Sequence, residues 1–379
     1  MEQMKRVLAL VMALCMLTSC AAFAEEELSL EDLITFTDAD LVEWDDDDEE
    51  EIEKTFFMDD AIQSALDTMD EDMTLDTTVD PTVLELNPNL PDNVINILLI
   101  GVDTREGKTT NEIKDTVRGD VQMILSLNMD TGAIKLTSIL RDSYVEIPGY
   151  KNSAKINVAY GRGGGELAMR TINHNFQMNI QYYVTINFYG LASIIDAIGG
   201  IDVDLTKIEA GAINTYLRKH PPRYDNTDGK SRVALKKQAG VQHLDGVQAV
   251  MYARLREIDN DFKRTERQRH LMELLLENVM QDMDMNKLLN LIQTTLPFVT
   301  CNMNLNTIFS LAMNVLQSDI ISRAKNGEAL MEQHRIPMDK TYSYKTINGS
   351  SVVYLSTNNM KNNVQALHEF IYGTYYPAK

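Results

Sequence analysis

The strongest constraint on the fold is a nearly unbroken apolar run at residues 94–102, which reads Val-Ile-Asn-Ile-Leu-Leu-Ile-Gly-Val and precedes Asp103. This composition is typical of a β-strand that is buried on both faces, because a strand with one solvated face alternates apolar and polar residues. The chain of 379 residues is long enough to supply the core that such a strand needs, as one large or two ordinary domains.

Two further strands are predicted directly after this run. One covers residues 121–127 and the next covers residues 133–139, with a turn sequence at 128–132 between them. If neighbouring strands pair antiparallel, the end of the first strand, the start of the second and the end of the third share one edge of the sheet. Six charged residues would meet at that edge: Asp103, Arg105, Arg118, Asp120, Arg141 and Asp142. The connection 104–119 is long for a loop without structure of its own, which favours a functional role.

The remaining elements are predicted from weaker patterns. Alternation over residues 250–256 predicts a strand with Tyr252, Arg254 and Arg256 on one face. Elsewhere, helices are predicted at 165–175, 189–198, 287–298, 305–318 and 359–372, strands at 181–188 and within 342–354, and a surface loop at 218–237.

A predicted helix at residues 264–282 has a mixed stripe along one side. Arg264 and Gln268 fall in line with Leu271 and Leu275, at helical spacings of four, seven and eleven residues. Because the leucines must face the core, Arg264 and Gln268 are expected to point inward as well.

So many charged groups near a core need partners, because a buried charge is costly unless it is paired or bound to a ligand. The planar guanidinium of arginine suits phosphate oxygens, and aspartate suits a hard cation such as Mg²⁺. The pattern therefore indicates a phosphate-rich ligand, and a purely structural Arg–Asp network is the alternative. The later segments add Arg254, Arg256, Arg264, Arg267 and Gln268 to the candidate set.

Several other kinds of site are not supported by the sequence. The glycine-rich segment 161–165 lacks the Lys-Ser/Thr of a P-loop, the six histidines show no zinc-site spacing, and no Gly-x-Ser-x-Gly is present. The formal charge of −21 is concentrated in residues 25–80, where 24 acidic residues accompany one lysine. Residues 81–379 carry +1, so no nucleic-acid partner is expected.

The N-terminal region is typical of an exported protein. Two basic residues precede an apolar run at 7–17, which is short for a membrane span and suits a signal peptide, with a buried core helix as the alternative. Residues 17–20, Leu-Thr-Ser-Cys, resemble a lipobox that would make Cys20 a lipid anchor, whereas residues 22–24, Ala-Phe-Ala, fit ordinary cleavage. In either case Cys301 would be the one thiol of the folded part, with no internal disulfide and a buried apolar role.

The motifs of the chain resemble those of the LytR-CpsA-Psr proteins. They occur in the family's order over about 180 residues: 96–105, 118–120, 138–142, 155–160 with Gly163 and Gly164, 196–201, 244–249, 252–256, 261–264 and 267–268. The resemblance implies an α/β fold of three layers, α/β/α, around a central mixed sheet. Leu140 stands where proline is common, and an N-terminal transmembrane helix is usual in the family.

The resemblance also implies the chemistry of the site. Asp103 and Asp120 would hold Mg²⁺, with Mn²⁺ as the alternative metal. The catalytic set would be Asp103, Asp120, Arg118, Arg141, Asp142 and Arg256, and the pyrophosphate set would be Arg105, Arg118, Arg141, Lys155, Arg254, Arg256, Arg264, Arg267 and Gln268. A polyprenyl chain would enter an apolar channel between the sheet and the helices.

The implied function is an extracytoplasmic phosphotransferase at the outer face of the bacterial cytoplasmic membrane. It would move a glycopolymer, of teichoic acid or capsular polysaccharide type, from a polyprenyl pyrophosphate carrier to peptidoglycan, and contact the membrane through a lipid anchor or its lipid substrate. Two alternatives remain: a pyrophosphatase acting on the same donor, and a non-catalytic binder of polyprenyl phosphates that regulates envelope synthesis. The expected organisation is a signal peptide at 1–24, an acidic disordered linker at 25–90, a catalytic domain at 91–282 and a C-terminal extension at 283–379 packed on it.

Overall fold

The computed structural model describes residues 79–102, 117–219, 233–255, 261–282, 299–304 and 328–378, together with Thr307, Leu311, Arg323 and Asn326. In this part of the chain the strands are β1 (Val94–Val102), β2 (Gly119–Asn128), β3 (Ile134–Ile139), β4 (Tyr144–Val145), β5 (Ala154–Lys155), β6 (Tyr182–Asn187), β7 (Ile201–Leu205), β8 (Gly240–Leu244), β9 (Val299–Cys301), β10 (Met331–Ile336), β11 (Ser343–Ile347) and β12 (Ser350–Tyr354). The helices are α1 (Val158–Phe176), α2 (Phe188–Ala197), α3 (Lys207–Lys219), α4 (Gly246–Arg254), α5 (Asp261–Asp282) and α6 (Thr357–Tyr372), and one 3₁₀ turn covers Pro81–Val83.

A six-stranded mixed sheet forms the centre of the fold, in the order β10-β3-β2-β1-β6-β9. β1 pairs antiparallel with β2, and β2 pairs antiparallel with β3, as the hairpin argument predicted. β6 and β10 join as parallel strands and β9 as an antiparallel edge. Both faces of β1 are buried because helices cover the sheet on each side: α1 and α6 on one, and α2, α4 and α5 on the other. The expected three-layer α/β/α architecture is confirmed.

The ordered body begins before residue 91, so the end of the predicted linker is placed too late. Leu84 and Leu90 are 0% and 4% exposed. Glu85 accepts from Arg170 at 2.8 Å and lies 2.6 Å from Nδ1 of His174, whose Nε2 lies 3.1 Å from Glu146. Residues 79–90 therefore belong to the folded body, because Leu84 and Leu90 are buried in it.

The predicted strand at 250–256 is wrong, because residues up to Arg254 form helix α4. Asp245 caps this helix and Gln248 completes a capping box with it. All residues from Gly246 to Ala253 are buried, so no amphipathic pattern marks the helix. Tyr252 and Arg254 consequently point to different neighbours.

The other predicted elements agree with the structure where it describes them. Helices α1, α2, α5 and α6, strand β6 and the hairpin β11–β12 lie at or near their predicted positions. Cys301 is fully buried, as expected, and its Sγ lies 3.4 Å from the carbonyl oxygen of Met303. The predicted helices at 287–298 and 305–318, and most of the loop at 218–237, lie outside the described residues. Among the helices that are described, none combines the length and apolarity needed to cross a bilayer.

Candidate active site

The predicted sheet edge carries a charged pair at its centre. Asp120 is the second residue of β2 and Arg141 follows β3, and Nη1 of Arg141 donates to Oδ1 of Asp120 over 2.9 Å. Asn157, which precedes α1, donates to the same oxygen over 3.4 Å. The side chains of Arg141 and Asp120 are 16% and 21% exposed, so the pair lies at a surface that a ligand can reach.

A second ion pair lies beside the first. Nζ of Lys155 is 2.9 Å from Oδ1 of Asp142, and the small sheet β4–β5 brings Lys155 to this position by pairing it with Tyr144. The hairpin β11–β12 is attached here as well, since the N–H of Val353 donates to the carbonyl of Asp142 over 2.8 Å. This ion pair therefore holds Asp142 and Lys155 next to Arg141 at the edge of the sheet.

Arg118 approaches the same edge through a close contact with α1. Its Nη1 donates to the carbonyl of Val117 over 3.1 Å. A Cβ on Gly161 would lie 2.2 Å from that carbonyl and 2.9 Å from Nη1 of Arg118. The glycine-rich segment thus allows α1 to pack tightly against residues 117–118, just before β2. Non-helical backbone at Gly163 and Gly164, where φ of Gly164 is +62°, kinks the helix.

An apolar cleft lies between the sheet and helices α2, α4 and α5, and it reaches Val121, the neighbour of Asp120 on β2. Arg254 and Gln268 lie on its wall together with many apolar side chains. The guanidinium of Arg254 stacks 4.2 Å from the ring of Phe188, and Gln268 donates to the carbonyl of Ala253 over 3.4 Å. The cleft is lined by Leu99, Ile100, Gly101, Val121, Met123, Val184, Ile186, Asn187, Phe188, Leu191, Val250, Ala253, Arg254, Gln268, Leu271 and Met272.

The two arginines of the α5 motif are both buried but differ in their surroundings. Arg264 is 4% exposed and shares a helix face with Gln268, as the stripe predicted. Arg267 is 5% exposed and turns toward α3, where Nη1 lies 3.5 Å from Oε1 of Glu209 and Nη2 donates to the carbonyl of Leu255 over 2.7 Å. These contacts favour a structural role for Arg267, whereas the family resemblance implies that it binds pyrophosphate.

Three predicted site residues, Asp103, Arg105 and Arg256, lie outside the described residues. The structure brings together Arg118, Asp120, Arg141, Asp142 and Lys155 at the edge, with Arg254 and Gln268 in the adjoining cleft. Sequence reasoning missed Asn157 and Phe188, which contact Asp120 and Arg254. The position of Asn157 within the motif at 155–160 was an available signal, whereas the position of Phe188 depends on long-range packing.

The charged edge presents guanidinium and ammonium groups beside the carboxylate of Asp120. Within the described residues, no three His, Cys, Asp or Glu side chains are grouped closely enough to hold a metal ion. Mg²⁺ is often bound by one or two carboxylates together with substrate phosphates, and Asp120 at the surface of the edge fits that kind of site. The guanidinium and ammonium groups around it can receive the phosphate oxygens.

The fold and the site define a three-layer α/β protein that can hold an anionic head group at the mouth of an apolar cleft. The model of the LytR_cpsA_psr family matches residues 57–369. The chain therefore belongs to the LytR-CpsA-Psr family.

Two relatives are named polyisoprenyl-teichoic acid–peptidoglycan teichoic acid transferase TagU. The protein from Enterococcus faecalis is 34% identical over 186 residues, which cover 48% of this chain and 53% of the relative. The protein from Oceanobacillus iheyensis is 30% identical over 266 residues, which cover 62% of this chain and 74% of the relative. The chain thus spans about half the length of the first of these curated relatives and three quarters of the second.

Solved structures of TagT share the fold, and one of them is described as TagT of Bacillus subtilis. One is described as bound to LIIa-WTA, with 20% identity and a TM-score of 0.53. Another is described as carrying octaprenyl pyrophosphate lipid, with 19% identity and a TM-score of 0.50. Each match covers 74% of this chain and 91% of TagT.

Proposed function

We propose that this protein is a phosphotransferase that acts outside the cytoplasmic membrane and moves a glycopolymer from a polyprenyl pyrophosphate carrier to peptidoglycan. The observation that carries the proposal is the junction of the charged edge with the apolar cleft, because a polyprenyl pyrophosphate has the same two parts. The family membership and the names of the TagU relatives support a polymer of teichoic acid type. A capsular polysaccharide is the other polymer class that the family resemblance implies.

The cationic side chains of the edge bind the pyrophosphate, and the apolar cleft binds the lipid chain. Arg118, Arg141 and Lys155 supply cations for the pyrophosphate oxygens, and Arg254 adds a guanidinium where the cleft begins. The apolar walls of the cleft receive the first part of the polyprenyl chain, so the lipid is held while the head group lies at the edge.

In the proposed reaction an acceptor hydroxyl of peptidoglycan attacks the phosphorus that is bonded to the glycan. A new oxygen–phosphorus bond forms, the bond to the bridging oxygen breaks, and polyprenyl phosphate leaves with that oxygen. Fixed guanidinium groups stabilise the charge that develops on the phosphoryl oxygens. Asp142 already pairs with Lys155, so we assign it a supporting role. The proton of the attacking hydroxyl then passes to the solvent or to the leaving phosphate.

A divalent ion, Mg²⁺ or Mn²⁺, belongs to this proposal. Asp120 would hold it with Asp103, and the ion would neutralise part of the pyrophosphate charge when bound. Removal of the metal with a chelator should then stop turnover, and Mg²⁺ should restore it.

The test is a single reaction with three distinguishable results. The protein is incubated with polyprenyl-pyrophosphate-linked glycan, Mg²⁺ and peptidoglycan oligomers, and the products are identified by mass. A glycan–phosphate–peptidoglycan conjugate supports the transferase. Free glycan phosphate with polyprenyl phosphate would instead show a pyrophosphatase, and an unchanged donor that stays bound would show a non-catalytic binder. Asp120→Asn is the inactive control, and its melting temperature shows whether it is folded.

We also propose that the chain is anchored by lipid on Cys20 after removal of its signal peptide. Residues 17–20 carry the lipobox pattern, and the acidic stretch that follows would act as a spacer from the membrane. The mass of the mature protein from a bacterial membrane fraction tests this. A diacylated cysteine at the N-terminus supports the anchor, whereas an unmodified N-terminus at Glu25 contradicts it.

A further inference from the structure

A group of polar side chains lies beside the cleft, on the same side of the sheet, and has no part in the function proposed above. One row of paired residues crosses four strands here: Leu99 on β1, Met123 on β2, Ser138 on β3 and Arg335 on β10. Leu99 and Met123 line the apolar cleft. The row thus continues from the cleft into a polar corner under α5.

Two arginines reach this corner from different elements. Arg335 on β10 stacks 4.2 Å from the ring of Phe262 on α5, and its Nη2 donates to Asp339 over 2.6 Å. Arg269 lies two turns after Phe262 on α5 and donates through Nε to Gln333 over 3.2 Å. Since Gln333 and Arg335 share one face of β10, both guanidinium groups lie between β10 and α5.

Three hydrogen-bond donors in this corner are buried and lack a partner within the described part of the chain. They are Nη1 of Arg269, Nη1 of Arg335 and Oγ of Ser138, which is 0% exposed. A buried donor without a partner costs stability, and two nearby cations add repulsion. Burial and the neighbouring Arg335 both lower the pKa of Arg269.

The carboxylates nearby offset this repulsion only in part: the charge of Glu266 raises the pKa of Arg269, yet Nη1 of both arginines lacks a partner in the described part of the chain. Asp339 pairs with Arg335 but is 80% exposed, and Glu273 accepts from Gln333 over 2.8 Å. Glu266 is paired with Lys263 at the surface. Nη1 of Arg269 and Nη1 of Arg335 are therefore available to a negatively charged ligand.

We propose that Arg269, Arg335 and Ser138 form a binding site for a phosphate monoester. Two guanidinium groups match the two charges of a monoester, and the hydroxyl supplies a third donor for a tetrahedral oxyanion. Ser138 lies on β3, three residues before Arg141, so this site lies about 10 Å from the charged edge. In the proposed reaction, polyprenyl phosphate leaves as a phosphate monoester with an apolar chain. A monoester site beside an apolar cleft fits this product. This identification of the natural ligand rests on the proposed function, whereas binding of the anion does not.

Binding is measured with inorganic phosphate alone, by calorimetry and by thermal unfolding at constant ionic strength in chloride. The parent is Arg141→Gln, which removes a phosphate contact at the charged edge. In this background phosphate should still raise the melting temperature. Adding Arg269→Gln should weaken phosphate binding at least about tenfold. It should also raise the melting temperature without phosphate, because one of two repelling cations is gone.

A structural role for Arg269 predicts the opposite pair of results. If Arg269→Gln lowers the melting temperature without phosphate and leaves phosphate affinity within about twofold of the parent, the site is disproved. Should that variant fail to fold, Ser138→Ala decides, since it removes one buried oxygen only: weaker phosphate binding in a stable protein supports the site, and unchanged binding overturns it. Lys345→Gln, a surface cation on β11, is the matched control and should change neither quantity.

Two further ligands identify the source of the phosphate. Farnesyl phosphate, a short prenyl monoester, should bind at least as tightly as inorganic phosphate, and glycerophosphoglycerol, a diester like those of a polymer chain, should bind about tenfold more weakly. Equal binding of the diester would assign the site to the polymer and overturn the monoester assignment. These measurements use neither donor nor acceptor glycan, so they can succeed or fail independently of the transferase assay.

Discussion

Replacing Arg267 with methionine should destabilise the protein by removing a buried cation that joins three elements. The side chain is 6% exposed and lies 3.5 Å from Glu209 of α3, which is 14% exposed. It also donates to the carbonyl of Leu255, just after α4, over 2.7 Å. The substitution would leave the carboxylate and the carbonyl buried without this partner.

The expected cost follows from these contacts. Removing one partner of a buried ion pair costs about 3–5 kcal/mol. Glu209 would keep hydrogen bonds from the N–H and hydroxyl of Thr206, at 3.0 and 2.8 Å, so its desolvation is partly offset. Methionine keeps most of the apolar stem, which limits the cavity. We therefore expect the lower end of the range, about 3 kcal/mol.

Urea unfolding followed by circular dichroism measures this free energy. Lys263→Met is the control on the same helix: Lys263 and its partner Glu266 are 60% and 57% exposed, and such a pair is worth about 0.5 kcal/mol or less. In a double-mutant cycle, Glu209→Gln should cost much less once Arg267 is gone. If Arg267→Met instead unfolds at the wild-type urea concentration and loses only transfer activity, Arg267 contacts the ligand and our structural assignment is wrong.

Three other substitutions test different parts of the structure. Arg264→Ala should abolish transfer while circular dichroism shows a folded protein; unfolding without a ligand-specific defect would favour a structural network. Gly161→Ala should lower both melting temperature and turnover, because the new Cβ would lie 2.2 Å from the carbonyl of Val117, and a wild-type melting curve would refute that tight packing. Burial lowers the pKa of His174, but the hydrogen bonds to Glu146 and Glu85 outweigh this effect and raise the pKa above 6.5. The stability difference between wild type and His174→Gln should therefore be largest below pH 6.5 and should vanish as the pH rises through the folded-state pKa of His174. Thermal melts in which this difference grows with pH would contradict the prediction.

The charged edge could be predicted because its signals are local. The apolar run of β1 and the turn between β2 and β3 are both visible in the sequence, and antiparallel pairing of neighbours then places Asp120 opposite Arg141. The same reasoning could not place Lys155 or Phe188 at the site. Lys155 arrives through the small β4–β5 pair, and Phe188 arrives because β6 joins β1 in parallel, which is a long-range choice.

The error at residues 250–256 has a physical cause. Alternation is informative only when one face of an element is solvated, and α4 is buried all round from Gly246 to Ala253. The better signal was the cap, since Asp245 followed three residues later by Gln248 is the pattern of a capping box. Reading that cap would have shown that Tyr252 and Arg254 cannot share a face, because residues two apart on a helix do not.

The two buried arginines of α5 show where sequence reasoning about function ends. Helical spacing predicts that Arg264 points inward, and three residues later Arg267 is only about 60° away around the axis. That angle is enough to turn Arg267 from the cleft side of α5 to Glu209, which lies 58 residues earlier in the chain. Periodicity therefore identifies a buried cation, but its partner depends on which helix packs against that side. One short motif can accordingly hold a candidate ligand-binding arginine and a structural one, and only stability measured beside activity separates them.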